Sequence, residues 1–256
     1  MTAYLTTALV TIKLGHASTQ EVTQGEKYDI RDATDKRWAF KKGTAQYRRE
    51  WVINLDLTPA GTAQTLQELA FDAHTNGPFK FYSCDAHAVN LFTPQEALFL
   101  GKDTTVQTVD GVYFPRALRG SSGWVELGRF PAEVGVPLAV RAYIAGSRAF
   151  LKATEIRSDG RDGNSYQEMY SGTGGVVEVN TRALRPGCIG WKVQVYNFDW
   201  VARPQARLGG SFLPEETFAP GLAAEKVVIR STSSNLAGWD NNIPLFDNQI
   251  VITEVG

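Results

Sequence analysis

Arg49-Glu50-Trp51-Val52-Ile53-Asn54-Leu55-Asp56-Leu57, followed by Thr58-Pro59-Ala60-Gly61, sets the fold reading of this chain. Trp51, Ile53, Leu55 and Leu57 share one parity, and Glu50, Asn54 and Asp56 share the other, with Val52 the apolar exception. Period two with a polar opposite side means a strand buried on one face and wet on the other. Pro59 and Gly61 stop it, because proline removes a ladder donor and glycine loosens the backbone. A helix is expected over Thr62–Thr75, where Leu66, Leu69, Ala70 and Ala73 make one apolar stripe. Asn76-Gly77-Pro78 should cap and end it. Phe79, Phe81 and Tyr82 then open an aromatic strand. A turn near Cys84-Asp85-Ala86 and a second strand through Val89, Leu91 and Phe92 are expected behind it.

Outward from this segment, the chain is short of chemistry and rich in strands. Its 256 residues suffice for one large or two ordinary domains, and 43% hydrophobic with 21% charged residues is a globular composition. A formal net charge of -1 argues against a protein built to hold nucleic acid. No apolar run reaches the ~18 residues a membrane-crossing helix needs, and Met1-Thr2-Ala3-Tyr4-Leu5 lacks a signal-peptide pattern, so synthesis in a cytoplasm is expected. Cys84 and Cys188 do not make a disulfide framework or a zinc site.

Val10, Ile12 and Leu14 give an early strand, and 24–44 is a charged excursion between strands. Candidate strands further on are 124–127, 138–144, 150–153, 176–179, 191–198, 226–230 and 250–255. Between the earlier of them, turn residues recur at Gly135, Ala145-Gly146-Ser147, Gly160 to Asn164, Gly172 to Gly175 and Arg185-Pro186-Gly187. The expected fold is mainly β: an N-terminal β-barrel or sandwich with one helix over 1–105, a linker at 106–122, and a jelly-roll-like β-sandwich over 123–256.

No catalytic constellation is visible. His16, His74 and His87 are the only histidines, and no serine elbow or His-Glu-x-x-His motif occurs. His74 reads as a helix-terminal cation, and Cys84 with His87 lacks a third, orienting group. The chain is therefore read as a non-enzyme, with no cofactor required. Asp159, Asp162 and Asn164, in Asp159-Gly160-Arg161-Asp162-Gly163-Asn164, are the candidate ligands for Ca²⁺, although turn formation explains the same residues. A sugar presents apolar C–H faces and polar rims, so an aromatic platform with polar edges would bind it. Tyr166, Tyr170, Tyr196, Trp200 and Arg203 are the candidates, while Trp124 and Trp191 read as core.

The Trp51–Leu57 strand, the helix with Leu66 and Leu69, and Asn76-Gly77-Pro78-Phe79-Lys80-Phe81-Tyr82 resemble the distal tail and minor tail proteins of long-tailed, non-contractile bacteriophages. Val10-Thr11-Ile12-Lys13-Leu14-Gly15 fits the first strand of such a domain. The resemblance covers about the first 100 residues and has no invariant motif. It implies a virion protein of the tail tip whose N-terminal domain forms a ring, usually a hexamer, between tail tube and baseplate hub. The implied partners are copies of itself, the tail tube protein, and the tail hub and tape-measure proteins. Residues 136–144 and 190–195 are similar to strands of carbohydrate-binding jelly rolls displayed by some members, which implies an outward sandwich touching host cell-wall glycan. The alternative is a stand-alone carbohydrate-binding module with an accessory N-terminal domain.

Overall fold

The computed structural model describes residues 4–6, 11–14, 17–24, 28–33, 36–41, 48–70, 79–213 and 217–254. In chain order the elements are β1 (Tyr4–Thr6), β2 (Thr11–Lys13), β3 (Ala17–Gln24), β4 (Tyr28–Ala33), β5 (Lys36–Lys41), β6 (Arg48–Pro59), α1 (Ala60–Ala70), β7 (Phe79–Tyr82), α2 (Cys84–Ala88) and α3 (Pro94–Ala97). The remaining elements are β8 (Thr104–Val109), β9 (Val112–Pro131), β10 (Leu138–Arg157), β11 (Asp162–Asn180), β12 (Cys188–Leu208), β13 (Ala224–Asp240) and β14 (Ile243–Glu254). The fold is mainly β, as the alternating runs predict. It divides into two compact units: Met1–Phe81 with Ala224–Gly256, and Tyr82–Ala223.

This division differs from the expected one. The segment read as a linker, 106–122, lies in β8 and β9, joined by Asp110-Gly111, both at positive φ. That geometry is a two-residue hairpin turn, which Asp-Gly favours. The last two strands return to the first unit instead of completing the second.

In the first unit the strand order is β2-β1-β7-β13-β14-β6-β3, an open sheet and not a closed barrel. β4 and β5 pair only with each other among the described strands. Trp51, Ile53 and Leu55 are buried as alternation requires, each contributing about 1.5–3 kcal/mol of burial. Trp51 meets Phe81 edge to face at 5.1 Å, and Ile250 and Ile252 of the neighbouring β14 are fully enclosed. Leu57 breaks the pattern: it sits at φ 51 in a bulge, 58% exposed, its N–H donating to Asp247 Oδ1. A bulge inserts one residue and flips the parity of the residues after it. α1 begins two residues before the expected start, burying Ala63 and Leu66; the expected continuation to Thr75 and the Asn76-Gly77-Pro78 stop lie outside the described residues.

The second unit is one antiparallel sheet, ordered β11-β10-β12-β9-β8. Its strands run to 21 residues because the glycines expected as turns, Gly146, Gly172 and Gly174, lie within strands, Gly146 and Gly172 at register shifts. Bulges bend strands and increase twist, and this sheet curls until Gly174 of edge strand β11 packs beside Val109 of edge strand β8 and the Trp200 ring. The result is sandwich-like around a core containing Phe114, Ala117, Ala145, Trp200 and Ala202. The expected hairpin strand at Val89–Phe92 is absent. Ser83 Oγ accepts from Ala86 N and starts a turn of helix, α2. The loop after α2 is pinned by Asn90, whose Oδ1 accepts from Phe92 N and Ala206 N and whose Nδ2 donates to Ala219 O.

Candidate functional site

The long strands of the second unit present two unlike faces. Directly opposed residues of an antiparallel pair share a face. Leu151 of β10 and Val195 of β12, then Ala153 and Val193, then Glu155 and Trp191, form successive pairs on the inner face, all buried. One residue out of phase, Met169 (β11), Phe150 (β10), Tyr196 (β12) and Trp124 (β9) stand in one cross-strand row on the outer face. Trp124 is 42% and Met169 55% exposed, with Phe150 and Tyr196 half-buried. The Trp124 and Tyr196 rings lie 4.9 Å apart at 32°, and Tyr196 and Phe150 lie 6.2 Å apart.

Beside this apolar row runs a polar one: Gln167, Lys152, Gln194 and Glu126. A further step along are Ser165, Thr154, Lys192 and Arg129. Charges here are largely settled within the face. Arg129 holds Glu126 through two bonds of 2.8 and 2.9 Å, and Lys192 Nζ lies 2.6 and 2.7 Å from the Asp162 carboxylate oxygens. Lys152 differs: its Nζ sits 3.6 Å from the Trp124 ring centroid and reaches no carboxylate among the described residues. Burial and the Lys192 charge hold its ammonium below the usual lysine range.

Of the residues selected from sequence, only Tyr196 belongs to this row. Trp200 is 5% exposed and packs in the core 5.6 Å from Phe114, so its ring has no face for a sugar. Trp124, read as core, is the indole this face exposes. Tyr166 has inner-face parity and meets Trp191 edge-on at 6.0 Å. Tyr170 covers Gly172 and Gly175, whose missing side chains leave room for its ring. Arg203, at φ 48, lies over Phe114 and donates to Tyr113 O. The five are thus spread over two faces. Register was the missing signal: Trp124 and Tyr196 become neighbours only through strand pairing.

Two of the three candidate Ca²⁺ ligands, Asp159 and Asp162, have partners for their carboxylates, and Asn164 takes part in the turn through its backbone. Asp159 Oδ1 caps its own turn by accepting from Arg161 N, Asp162 pairs with Lys192, and Asn164 N donates to Glu155 Oε2. Among the described residues no group of three or more His, Cys, Asp or Glu is placed to hold a metal. What organises this turn is Glu155. Burial opposes its charge, yet the Arg185 fork at 2.7 and 2.9 Å and the Asn164 N–H hold the carboxyl below its ordinary range. The buried Cys188 thiol, 3.8 Å from Glu155 Oε2, is pushed up by burial and by that carboxylate. His87, on the same short helix as Cys84, is buried, and desolvation lowers its pKa to about 4. His16 and His74 lie outside the described residues.

No family model and no characterised protein sequence matches this chain. Among solved structures, the enzymatically active domain of bacteriophage CBA120 tailspike protein 4 aligns over 76% of this chain at 6% identity, with a TM-score of 0.27. The alignment spans 20% of that structure, and a likeness of this size carries no argument about fold or activity.

Proposed function

We propose that this chain is a structural component of a bacteriophage tail tip, acting by assembly and not by turnover. The observation that carries the reading is the uncovered end of the β13–β14 hairpin in the first unit. Pro244 and Phe246 continue the face that buries Ile250 and Ile252, and their cross-strand partners are Trp239 and Leu236. Here the cover runs out: Trp239 is 67% and Leu236 57% exposed. A contiguous apolar surface of this kind marks an interaction site, and tryptophan is a preferred anchor in such sites. The same hairpin carries the exposed acids Asp240 and Asp247. The charged 24–50 stretch, with more Lys and Arg than Asp and Glu, offers a complementary surface on a second copy. The separate β4–β5 sheet and the open edges of the main sheet suit strand or surface contacts between copies. The resemblance of Trp51–Tyr82 to distal tail proteins supplies the ring, its hexameric order and its tube, hub and tape-measure partners.

The test is the assembly state of the full chain by light scattering and negative-stain microscopy. Closed rings are expected, with Trp239→Ser shifting the population toward monomer. A chain that stays monomeric at high concentration, with or without the matching tail tube protein, would overturn this reading.

A further inference from the structure

We propose that the outer face of the second unit is a binding site for a neutral polysaccharide chain, running across β11, β10, β12 and β9 with Trp124 and Tyr196 as its central contacts. The inference concerns the second unit alone and stands apart from the assembly of the first.

Three features of the face select this ligand. First, the aromatic row is exposed although nothing in the fold requires it. The inner face of the same strands already supplies the core through Leu151, Val193, Val195 and Trp191, and a solvent-facing row is ordinarily polar. Second, the polar row beside it carries the amides of Gln167 and Gln194, which both donate and accept. A sugar polymer has the matching amphipathy: C–H patches suited to aromatic rings and hydroxyls that likewise donate and accept. A ligand lying along the rows would meet rings on one edge and amides on the other. Third, the charges are paired within the face, Arg129 to Glu126 and Lys192 to Asp162. A polyanion such as nucleic acid or teichoic acid binds through unpaired cations, and in these rows the one cation without a carboxylate partner among the described residues is Lys152. Its ammonium fixes the indole from one side by a cation–π contact and remains able to donate to a hydroxyl.

The face is also built to keep its shape. Its rings project from hydrogen-bonded central strands, β10 and β12, and from β9, so little order is lost on binding. The short row of rings suits an extended chain more than a single monosaccharide.

The test uses the full chain in affinity gel electrophoresis against α-glucan, β-1,3-glucan, galactomannan, galactan and rhamnan, with lipoteichoic acid as the anionic arm. Retardation by at least one neutral polysaccharide is expected, together with saturable quenching of tryptophan fluorescence. Trp124→Ala and Tyr196→Ala should each weaken binding by about tenfold or more, with circular dichroism unchanged. Gln194→Ala leaves every ring in place and should weaken it by several-fold, which keeps the test decisive if an aromatic variant misfolds. Trp239→Ser should bind as the parent does, so failure here is distinguishable from failure of the assembly reading. Four results would overturn the proposal: no retardation by any neutral polymer, retardation by lipoteichoic acid alone, indifference to both Trp124→Ala and Gln194→Ala, or a change of oligomeric state on Trp124→Ala in place of a loss of binding.

Discussion

At the scale of single residues, the second unit carries two buried titratable groups whose environments oppose each other in a measurable way. His87 is 3% exposed, and desolvation lowers its pKa from 6.5 to about 4, with Glu133 acting weakly in the other direction. The folded state therefore favours neutral imidazole. Its contribution is complete above pH 6.5 and is lost as the pH falls toward 4, because the unfolded chain takes up the proton first. A shift of this size corresponds to about 3 kcal/mol. Urea unfolding of the second unit should show stability falling between pH 6.5 and 4, and His87→Gln should flatten that slope. Glu155 acts lower on the scale. Burial alone would raise its pKa, but Arg185 and the Asn164 N–H more than offset this and leave it depressed. Its contribution is present above the unfolded carboxyl value and disappears below it, as pH falls through the folded value. Glu155→Gln should cost on the order of 2 kcal/mol at pH 7 through loss of charge-assisted bonds. A variant as stable as the parent would show that Arg185, whose side chain is 46% exposed, gains as much from water as from the carboxylate.

At the scale of elements, the glycines separate local conformation from long-range pairing. Gly111 sits at φ 78 in the β8–β9 turn with open space around a would-be Cβ. Gly111→Ala should cost only the backbone term, about 1 kcal/mol. Gly120 has no positive φ, yet a Cβ there would collide with the carbonyl oxygens of Phe198 and Asp199 on β12. Gly120→Ala forces the strands apart and should cost about 3 kcal/mol. Thermal melts of the two variants compare the terms directly; equal losses would mean that β9 tolerates displacement from β12. The same contrast explains which elements are legible in the sequence. The Trp51–Leu55 strand, the helix at Leu66 and the Phe79–Tyr82 strand can be read because their signals are local periodicity. The 20-residue strands cannot, since Gly146 and Gly172 look like turns until cross-strand pairing makes them bulges. The outer aromatic row is hidden for the same reason. Tyr196 takes an outward parity from Trp191-Lys192-Val193, but its neighbours Trp124 and Phe150 lie 72 and 46 residues away in sequence.

At the scale of the whole molecule, the path of the chain matters more than any one element. It leaves the first unit after Phe81 and re-enters at Ala224, and these two residues are register partners on adjacent strands β7 and β13. The second unit is thus an insertion between hydrogen-bonded neighbours, a place where a sheet tolerates added sequence because its own pairing is unbroken. This explains why a reading by sequence order misplaces the C-terminal strands: β14 lies between β13 and β6, so the last strands complete the sheet that the first begin. If each unit owns its core, replacing residues 82–223 by a two-residue Asn-Gly turn should leave a folded first unit, since Asn-Gly joins antiparallel neighbours with the right twist. The excised 82–223 segment should fold by itself around Trp191, Trp200 and Phe130. Calorimetry of the full chain should then resolve into two transitions matching those of the separate pieces. Ring formation should track the first piece and polysaccharide retardation the second. An unfolded first piece would mean that β7 and β13 depend on the insertion for support, and the division of labour between assembly and binding would fall with it.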